Sequence, residues 1–159
     1  MRIDWLRDHP QYIDAVAAAH VEAFGALVPD WSVADAVREL RSHIHACAIP
    51  TTLLALDGAG DWLGSASLLQ EDHRRIRQYS PWLASLYVRP QARGQGVGAA
   101  LVARCVDEAA ALGVGRLYLY CTAALTGYYA RLGWRGHSRV VLGPLHVDVM
   151  AIDCAGASR

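Results

Sequence analysis

Residues 82–113, WLASLYVRPQARGQGVGAALVARCVDEAAALG, constrain this chain more than any other stretch. Trp82 to Arg89 is apolar and β-prone, with neither Gly nor Pro inside it, which predicts a buried strand. Pro90 has no N–H to give a ladder and ends that strand. Arg93-Gly94-Gln95-Gly96-Val97-Gly98 then sets glycines at alternate positions before Ala99, Leu101, Val102, Cys105, Val106 and Ala109, which recur at helical spacing. Gly113 stops the helix as a C′ residue. A glycine-rich turn at a helix N-terminus aims several free amides, and the positive end of the helix dipole, at one small volume. Such a volume favours an anion, above all a phosphate.

Two common phosphate motifs are excluded. Gly94-x-Gly96-x-x-Ala99 fits the dinucleotide fingerprint, which also needs an acid about 20 residues on, at the end of the next strand. That strand reads Leu117-Tyr118-Leu119-Tyr120-Cys121 and holds no carboxylate. The P-loop needs Gly-Lys-Ser/Thr, and the chain contains no lysine.

A third pattern fits. Val88-Arg89-Pro90-x-x-Arg93-Gly94-x-Gly96-x-Gly98-x-x-Leu101 resembles the acyl-CoA loop of the GNAT superfamily of N-acetyltransferases, whose signature is Arg/Gln-x-x-Gly-x-Gly/Ala. One helix and one strand later, Tyr128-Tyr129-Ala130-Arg131-Leu132-Gly133-Trp134 is similar to that superfamily's Tyr-x-x-x-Gly-aromatic segment. The order and spacing of the two blocks make the resemblance specific. It is sharpest over 82–134. In the front half, the stretches 49–55 and 64–68 are similar to one GNAT subgroup of undefined substrate.

Taken in order, Ile3 to Leu6 is a short strand. Tyr12, Ile13, Val16, Ala17, Val21 and Phe24 predict an amphipathic helix from Asp8 or Pro10 to about Gly25. Ser32-x-x-Asp35 is a capping box with Asp for Glu, opening a helix through Val37, Leu40, Ile44 and His45. Thr51–Leu56 and Trp62–Leu69 flank an Asp57-Gly58-Ala59-Gly60 turn as a hairpin. The Arg-rich stretch from Gln70 to Pro81 is a long loop of the kind that serves function. After the opening helix, Arg116 to Cys121 is a parallel strand, reached by a right-handed crossover. Thr122 or Thr126 caps a short helix through Leu132. The pair Trp134–Leu142 and Leu145–Ile152 closes the sheet. With no repeat or linker, residues 1–159 read as one domain. The fold class is α/β, and the GNAT resemblance implies a mixed, mostly antiparallel sheet of six to seven strands. Its fourth and fifth strands run parallel and splay, with flanking helices, and pantetheine lies in the gap.

Formal net charge is zero, which argues against nucleic acid. Yet residues 1–72 hold 11 Asp/Glu against 4 Arg, and residues 73–159 hold 4 against 11. The basic stretch brackets the glycine loop and suits a polyanionic cofactor, or else its arginines sit on solvated faces. The acidic front half suits a cationic amine. No apolar run spans a bilayer and the N-terminus lacks a signal h-region. Cys47, Cys105, Cys121 and Cys154 have no CxxC spacing and read as buried thiols in a reducing compartment. These features predict a soluble, cytoplasmic protein. The seven histidines show no ligand spacing beyond His43-x-His45, so no metal is expected. The apolar closing strands offer an edge for homodimerisation.

The amides of Arg93, Gly94, Gln95, Gly96, Gly98 and Ala99 are the candidate pyrophosphate cradle, and the Arg93 side chain either adds a cation or stays solvated. The resemblance implies acetyl-CoA as co-substrate, with Leu86 and Val88 pairing with pantetheine through their backbones. It also aims the Leu86 N–H at the thioester carbonyl, and matches Tyr129 to the family's general acid. Tyr128 reads as core, although register can swap the two. Many relatives carry Glu at the start of the fourth strand, where this chain has Trp82. Asp72 leads as general base, since similar subgroup members show an acid there, ahead of His73 and Glu22. The chain has no Asn to meet pantetheine after the fifth strand, so Thr122 or Cys121 must substitute. The expected activity is acetyl transfer to a primary amine of a small molecule, by direct attack in a ternary complex. Its rivals are a non-catalytic acyl-CoA sensor and an acetyltransferase for protein N-termini or lysines.

Overall fold

A computed structural model describes residues 1–43 and 48–154. Seven strands are present: β1 Arg2–Trp5, β2 Thr51–Leu56, β3 Trp62–Leu69, β4 Trp82–Val88, β5 Arg116–Cys121, β6 Arg135–Leu142 and β7 Leu145–Asp153. The helices are α1 Ile13–Phe24, α2 Val33–Ser42, α3 Val97–Ala111 and α4 Thr126–Arg131. The strands form one sheet in the order β1-β2-β3-β4-β5-β7-β6. Every pairing is antiparallel except β4 with β5.

Helices cover both faces, which is why β2 is apolar almost throughout and all six of its residues are buried. Leu53 and Ala55 pack toward α3 with Leu101, Val102 and Cys105. Leu54 and Leu56 pack toward α1 and α2 with Val16, Ala17 and Leu40. Buried apolar surface of this kind is the main stabilising term, at roughly 25 cal/mol per Å².

The site depends on an irregularity in β4. Ser65 of β3 pairs with Tyr87, but Ser67 pairs with Ala84, so β4 holds one residue more than β3 across this interval. Ser85 and Leu86 are left facing Ala66 in a bulge, and Ser85 adopts φ 54°. A bulge bends its strand and ends regular pairing. Accordingly β4 and β5 share one register pair, Trp82 with Tyr118, where the Tyr118 N–H donates to the Pro81 carbonyl at 3.0 Å. Beyond it the two strands separate, leaving a cleft in the middle of the sheet.

Several expected boundaries shift. The first strand ends at Trp5, and Pro10–Tyr12 is a 3-10 turn before α1. Pro90 opens a further 3-10 turn, and β6 starts at Arg135 rather than Trp134. The Ser32 capping box forms, with the Asp35 N–H donating to Ser32 Oγ and the Ser32 N–H to the Asp35 carboxylate. Helix α2 is described to Ser42; Ile44, His45 and Cys47 lie outside the described residues. Neither threonine caps α4, since Thr122 makes no side-chain cap bond and the Thr126 hydroxyl donates to the Ala123 carbonyl. The closing strands do not both offer an edge. β7 is paired on both sides and buries Val147 and Val149, so of the two only β6 lies at a sheet margin.

Gly64 shows how closely the strands must approach. A Cβ there would stand 2.5 Å from the Tyr87 carbonyl oxygen and 3.2 Å from Val88 Cα, both main-chain atoms that cannot yield cheaply. Gly64→Ala is therefore expected to cost about 2–3 kcal/mol, toward the upper end of overpacking penalties. Thermal unfolding should show a fall of roughly 6–10 °C. An unchanged melting temperature would mean that the β3–β4 register is wrong.

Candidate active site

The glycine loop forms as its composition requires. Gly94 and Gly96 adopt φ 75° and 82°, and Gly96 is the N-cap of α3. The first main-chain bond into the helix runs from the Ala100 N–H to the Gly96 carbonyl at 3.0 Å. Among the described residues, the amides from Gly94 to Ala99 find no main-chain partner, and residues 93–96 are exposed. Such free amides at the mouth of a 15-residue helix suit an anion. A Cβ at Gly96 would meet nothing within 4 Å, so Ala is tolerated sterically but strained at positive φ. Gly96→Ala is expected to lower stability by about 1–2 kcal/mol and to weaken coenzyme A binding about tenfold in calorimetry.

Two expectations about this loop change. The Arg93 side chain folds back, its Nε donating to the Val88 carbonyl at 2.8 Å with the guanidinium 5.8 Å from the centre of the Tyr87 ring. It thus braces the end of β4 rather than reaching over the cradle, and it occupies a carbonyl expected to meet pantetheine. Tyr128 is more than core filler, because its hydroxyl would lie 3.0 Å from a Cβ on Gly98. Gly98 is small because α4 presses a phenol against the start of α3.

The cleft between the separated strands has a volume of about 260 Å³ and is bordered by Leu86, Leu119, Thr122, Tyr129 and Asp72. Tyr129 is buried, with its ring against Tyr128 and Trp134. Burial, with smaller contributions from Cys121 and Tyr128, raises the phenol above its ordinary value, so it stays protonated through the neutral range. Thr122 is exposed at the cleft's rim, whereas Cys121 points its thiol to Met150 Sδ at 3.9 Å. Leu86 lies in the bulge without a register partner on either neighbouring strand.

Of the three candidate bases, Asp72 alone borders the cleft. Glu22 is exposed on α1, and His73 Nδ1 accepts the Arg75 N–H. The Asp72 residue keeps an exposed edge, yet its carboxyl is enclosed, and desolvation lifts it from 3.8 to about 7. No hydrogen bond to it is found among the described residues, so nothing offsets that effect. Burial, and then the charge of Asp72, raises the Tyr120 phenol, which packs edge-on against Trp82 at 6.0 Å. The long loop thus brings an acid beside the start of β4, where Trp82 is fully buried and supplies none.

Asp72 also borders a second hollow of about 360 Å³, which shares Val28 and Ser85 with the cleft. Its floor is polar. His20 Nε2 meets Ser65 Oγ at 2.9 Å, His43 Nδ1 meets Thr52 Oγ1 at 2.9 Å, and Thr52 Oγ1 meets Ser67 Oγ at 2.8 Å. Burial lowers both imidazoles from 6.5 to about 4, with His43 adding to the effect on His20. Reading the sequence missed this group. The signal available was three hydroxyl residues, Thr52, Ser65 and Ser67, inside strands that are otherwise largely apolar. Among the described residues, no His, Cys, Asp or Glu cluster could hold a metal.

The profile of the acetyltransferase (GNAT) family matches residues 4–134. The chain belongs to that family. The GNAT chain is 32% identical over 84 residues to glucosamine 6-phosphate N-acetyltransferase 1 of Oryza sativa subsp. japonica. That match covers 52% of the chain and 51% of the relative, so the chain spans about half the length of the curated relative it matches. Among solved structures, it is similar to an aminoglycoside 6'-N-acetyltransferase complexed with coenzyme A, with a TM-score of 0.75, 14% identity and 97% of each chain covered. A spermidine N-acetyltransferase from Vibrio cholerae, in complex with CoA and spermine, gives a TM-score of 0.73 at 16% identity over 99% of this chain and 98% of that one. At such identities the likeness is one of fold. It agrees with the expected GNAT architecture, here a seven-stranded mixed sheet whose parallel β4–β5 pair opens into a cleft.

Proposed function

We propose that this chain transfers an acetyl group from acetyl-CoA to a primary amine of a small molecule, by direct attack in a ternary complex. One observation carries the proposal: an enclosed acid and a buried phenol border the same opening between β4 and β5, while the unpaired amides of Gly94 to Ala99 follow closely on the end of β4. The names of the relatives, each an N-acetyltransferase of a small amine, point the same way.

The residues divide the work as follows. The amides from Gly94 to Ala99 hold the diphosphate, and the separated strands receive pantetheine as an extended segment. The Leu86 N–H, freed by the bulge, donates to the thioester oxygen as it gains charge; one such fixed donor is worth about 2.7–4 kcal/mol in other oxyanion sites. Asp72 accepts the ammonium proton before or during attack, since an acid near 7 is half ionised at working pH. The amine nitrogen then bonds the carbonyl carbon. The carbon–sulfur bond breaks, and Tyr129 hydrogen-bonds or protonates the departing thiolate. Thr122, at the rim, stands where pantetheine enters. The buried free thiols Cys105, Cys121 and Cys154 suit a reducing cytoplasm.

The test is thiol release from acetyl-CoA on a panel of amines, with coenzyme A binding measured separately by calorimetry. Binding with amine-dependent release supports the reading. Binding without release on any amine leaves an acyl-CoA sensor, and release on peptides alone makes the acceptor a protein.

A further inference from the structure

The hollow beside Asp72 has a chemistry that selects among amines. This inference rests on the acetyltransferase reading, because it takes Asp72 as the point where the reacting nitrogen arrives. Three carboxylates border the hollow, Glu39, Glu71 and Asp72, and no arginine does among the described residues. Glu71 is already engaged by Arg77 at 3.5 Å. Glu39 accepts the Trp31 indole N–H on Oε1 at 3.1 Å, which orients the carboxylate and leaves its second oxygen without a hydrogen-bond partner among the described residues. Trp31 itself lines the hollow and offers an aromatic face, the preferred neighbour of a cation. Asp72, whose enclosed carboxyl has no hydrogen-bond partner among the described residues, borders the same space. The two imidazoles on the floor, lowered to about 4 by burial, are neutral and add no positive charge.

We infer that the hollow bounded by Asp72, Glu39 and Trp31 takes a compact acceptor carrying two cationic nitrogens, one reacting at Asp72 and the other held by Glu39 and Trp31. A single amine leaves the charge of Glu39 uncompensated. A phosphorylated amine brings an anion to a wall that offers carboxylates, neutral imidazoles and hydroxyls. At about 360 Å³ the space is near the small end of ligand pockets, which fits an aliphatic diamine better than a multi-ring amino sugar.

The experiment compares 1,4-diaminobutane with 1-aminobutane, and glucosamine with its 6-phosphate. Each is titrated by calorimetry at pH 8 onto the coenzyme A complex of the full chain, with kcat/KM measured alongside. The expected results are at least tenfold tighter binding of the diamine than the monoamine, and weaker binding of the phosphate ester than of glucosamine. Glu39→Gln should bring the diamine's affinity down to the monoamine's, and Trp31→Leu should erode it in part. Glu39 is exposed on α2, so its variant folds. Equal affinity for diamine and monoamine, a preference untouched by Glu39→Gln, or no binding of either amine overturns the inference. Turnover of monoamines without a diamine preference sinks this inference and spares the acetyltransferase reading. Diamine-selective binding without thiol release from any amine does the reverse.

Discussion

Replacing Asp72 by Asn is expected to lower kcat/KM at pH 8 by a hundredfold or more while raising the melting temperature at the same pH. Both effects have one cause. The Asp72 carboxyl is desolvated and lifted from 3.8 to about 7, so its charged form is poorly tolerated in the folded protein. An unfolded chain releases that proton near pH 4, and the folded one keeps it until about pH 7. Between these values the folded state binds more protons, so stability falls as pH rises, and the loss is complete above pH 7. Asn carries no such charge. The variant should therefore match the wild type near pH 4 and exceed it at pH 8, by on the order of 2–3 kcal/mol after allowing for the residue's exposed edge.

Activity should move the other way. A base titrating near 7 gives the wild type a rising limb in log kcat/KM across pH 6–8, and Asp72→Asn should flatten that limb rather than shift it. Glu22→Gln and His73→Gln serve as controls and should leave the limb in place. A wild-type profile retained by Asp72→Asn would transfer the base role elsewhere. A variant less stable at pH 8 than the wild type would mean that the carboxylate is favourably solvated after all.

The parts of this site legible in the sequence were those governed by local chemistry. Thr51–Leu56 and Trp62–Leu69 form over the expected residues because two largely apolar runs separated by Asp57-Gly58-Ala59-Gly60 have few other solutions. The glycine loop and the Ser32 cap are likewise set by a few adjacent residues. What escaped depends on tertiary register. The GNAT resemblance implies a bulged, splayed fourth strand, but the residues that form the bulge, Ser85 and Leu86, include no glycine or proline to announce their place, although Ser85 takes a positive φ. Asp72 is nominated by the resemblance to subgroup members with an acid there, but its proximity to Tyr120, on a strand 48 residues away, is a matter of tertiary packing. The His20 and His43 floor needs α1, α2 and the β2–β3 register together, since Thr52 meets Ser67 only by cross-strand pairing. Adjacent tyrosines are ambiguous for a similar reason. Where α4 starts decides which phenol enters the cleft and which rests on Gly98.

Tyr129→Phe should reduce kcat by about a hundredfold with little change in coenzyme A affinity or stability. The hydroxyl borders the cleft, and no hydrogen bond to it is found among the described residues, so removing it orphans no buried partner. The ring keeps its contacts with Tyr128 and Trp134 in either form. Burial raises the phenol above its usual value of 10, which at first sight makes it a poor acid for a thiol near 8.5. The thiolate, however, is released into the same water-poor cleft. The desolvation that disfavours a phenolate there disfavours a thiolate too, so the two proton affinities rise together and the transfer stays close to balanced. The loss on Tyr129→Phe should accordingly depend on the leaving group. With an acyl donor whose thiol is more acidic, departure needs less help and the deficit should shrink, whereas a structural defect would lower both donors' rates equally. Tyr128→Phe should leave this leaving-group dependence intact and, if its hydroxyl helps position the loop, act on coenzyme A affinity instead. Should Tyr128→Phe abolish turnover and Tyr129→Phe spare it, the two phenols exchange roles, and the register of α4 against the cleft must be redrawn.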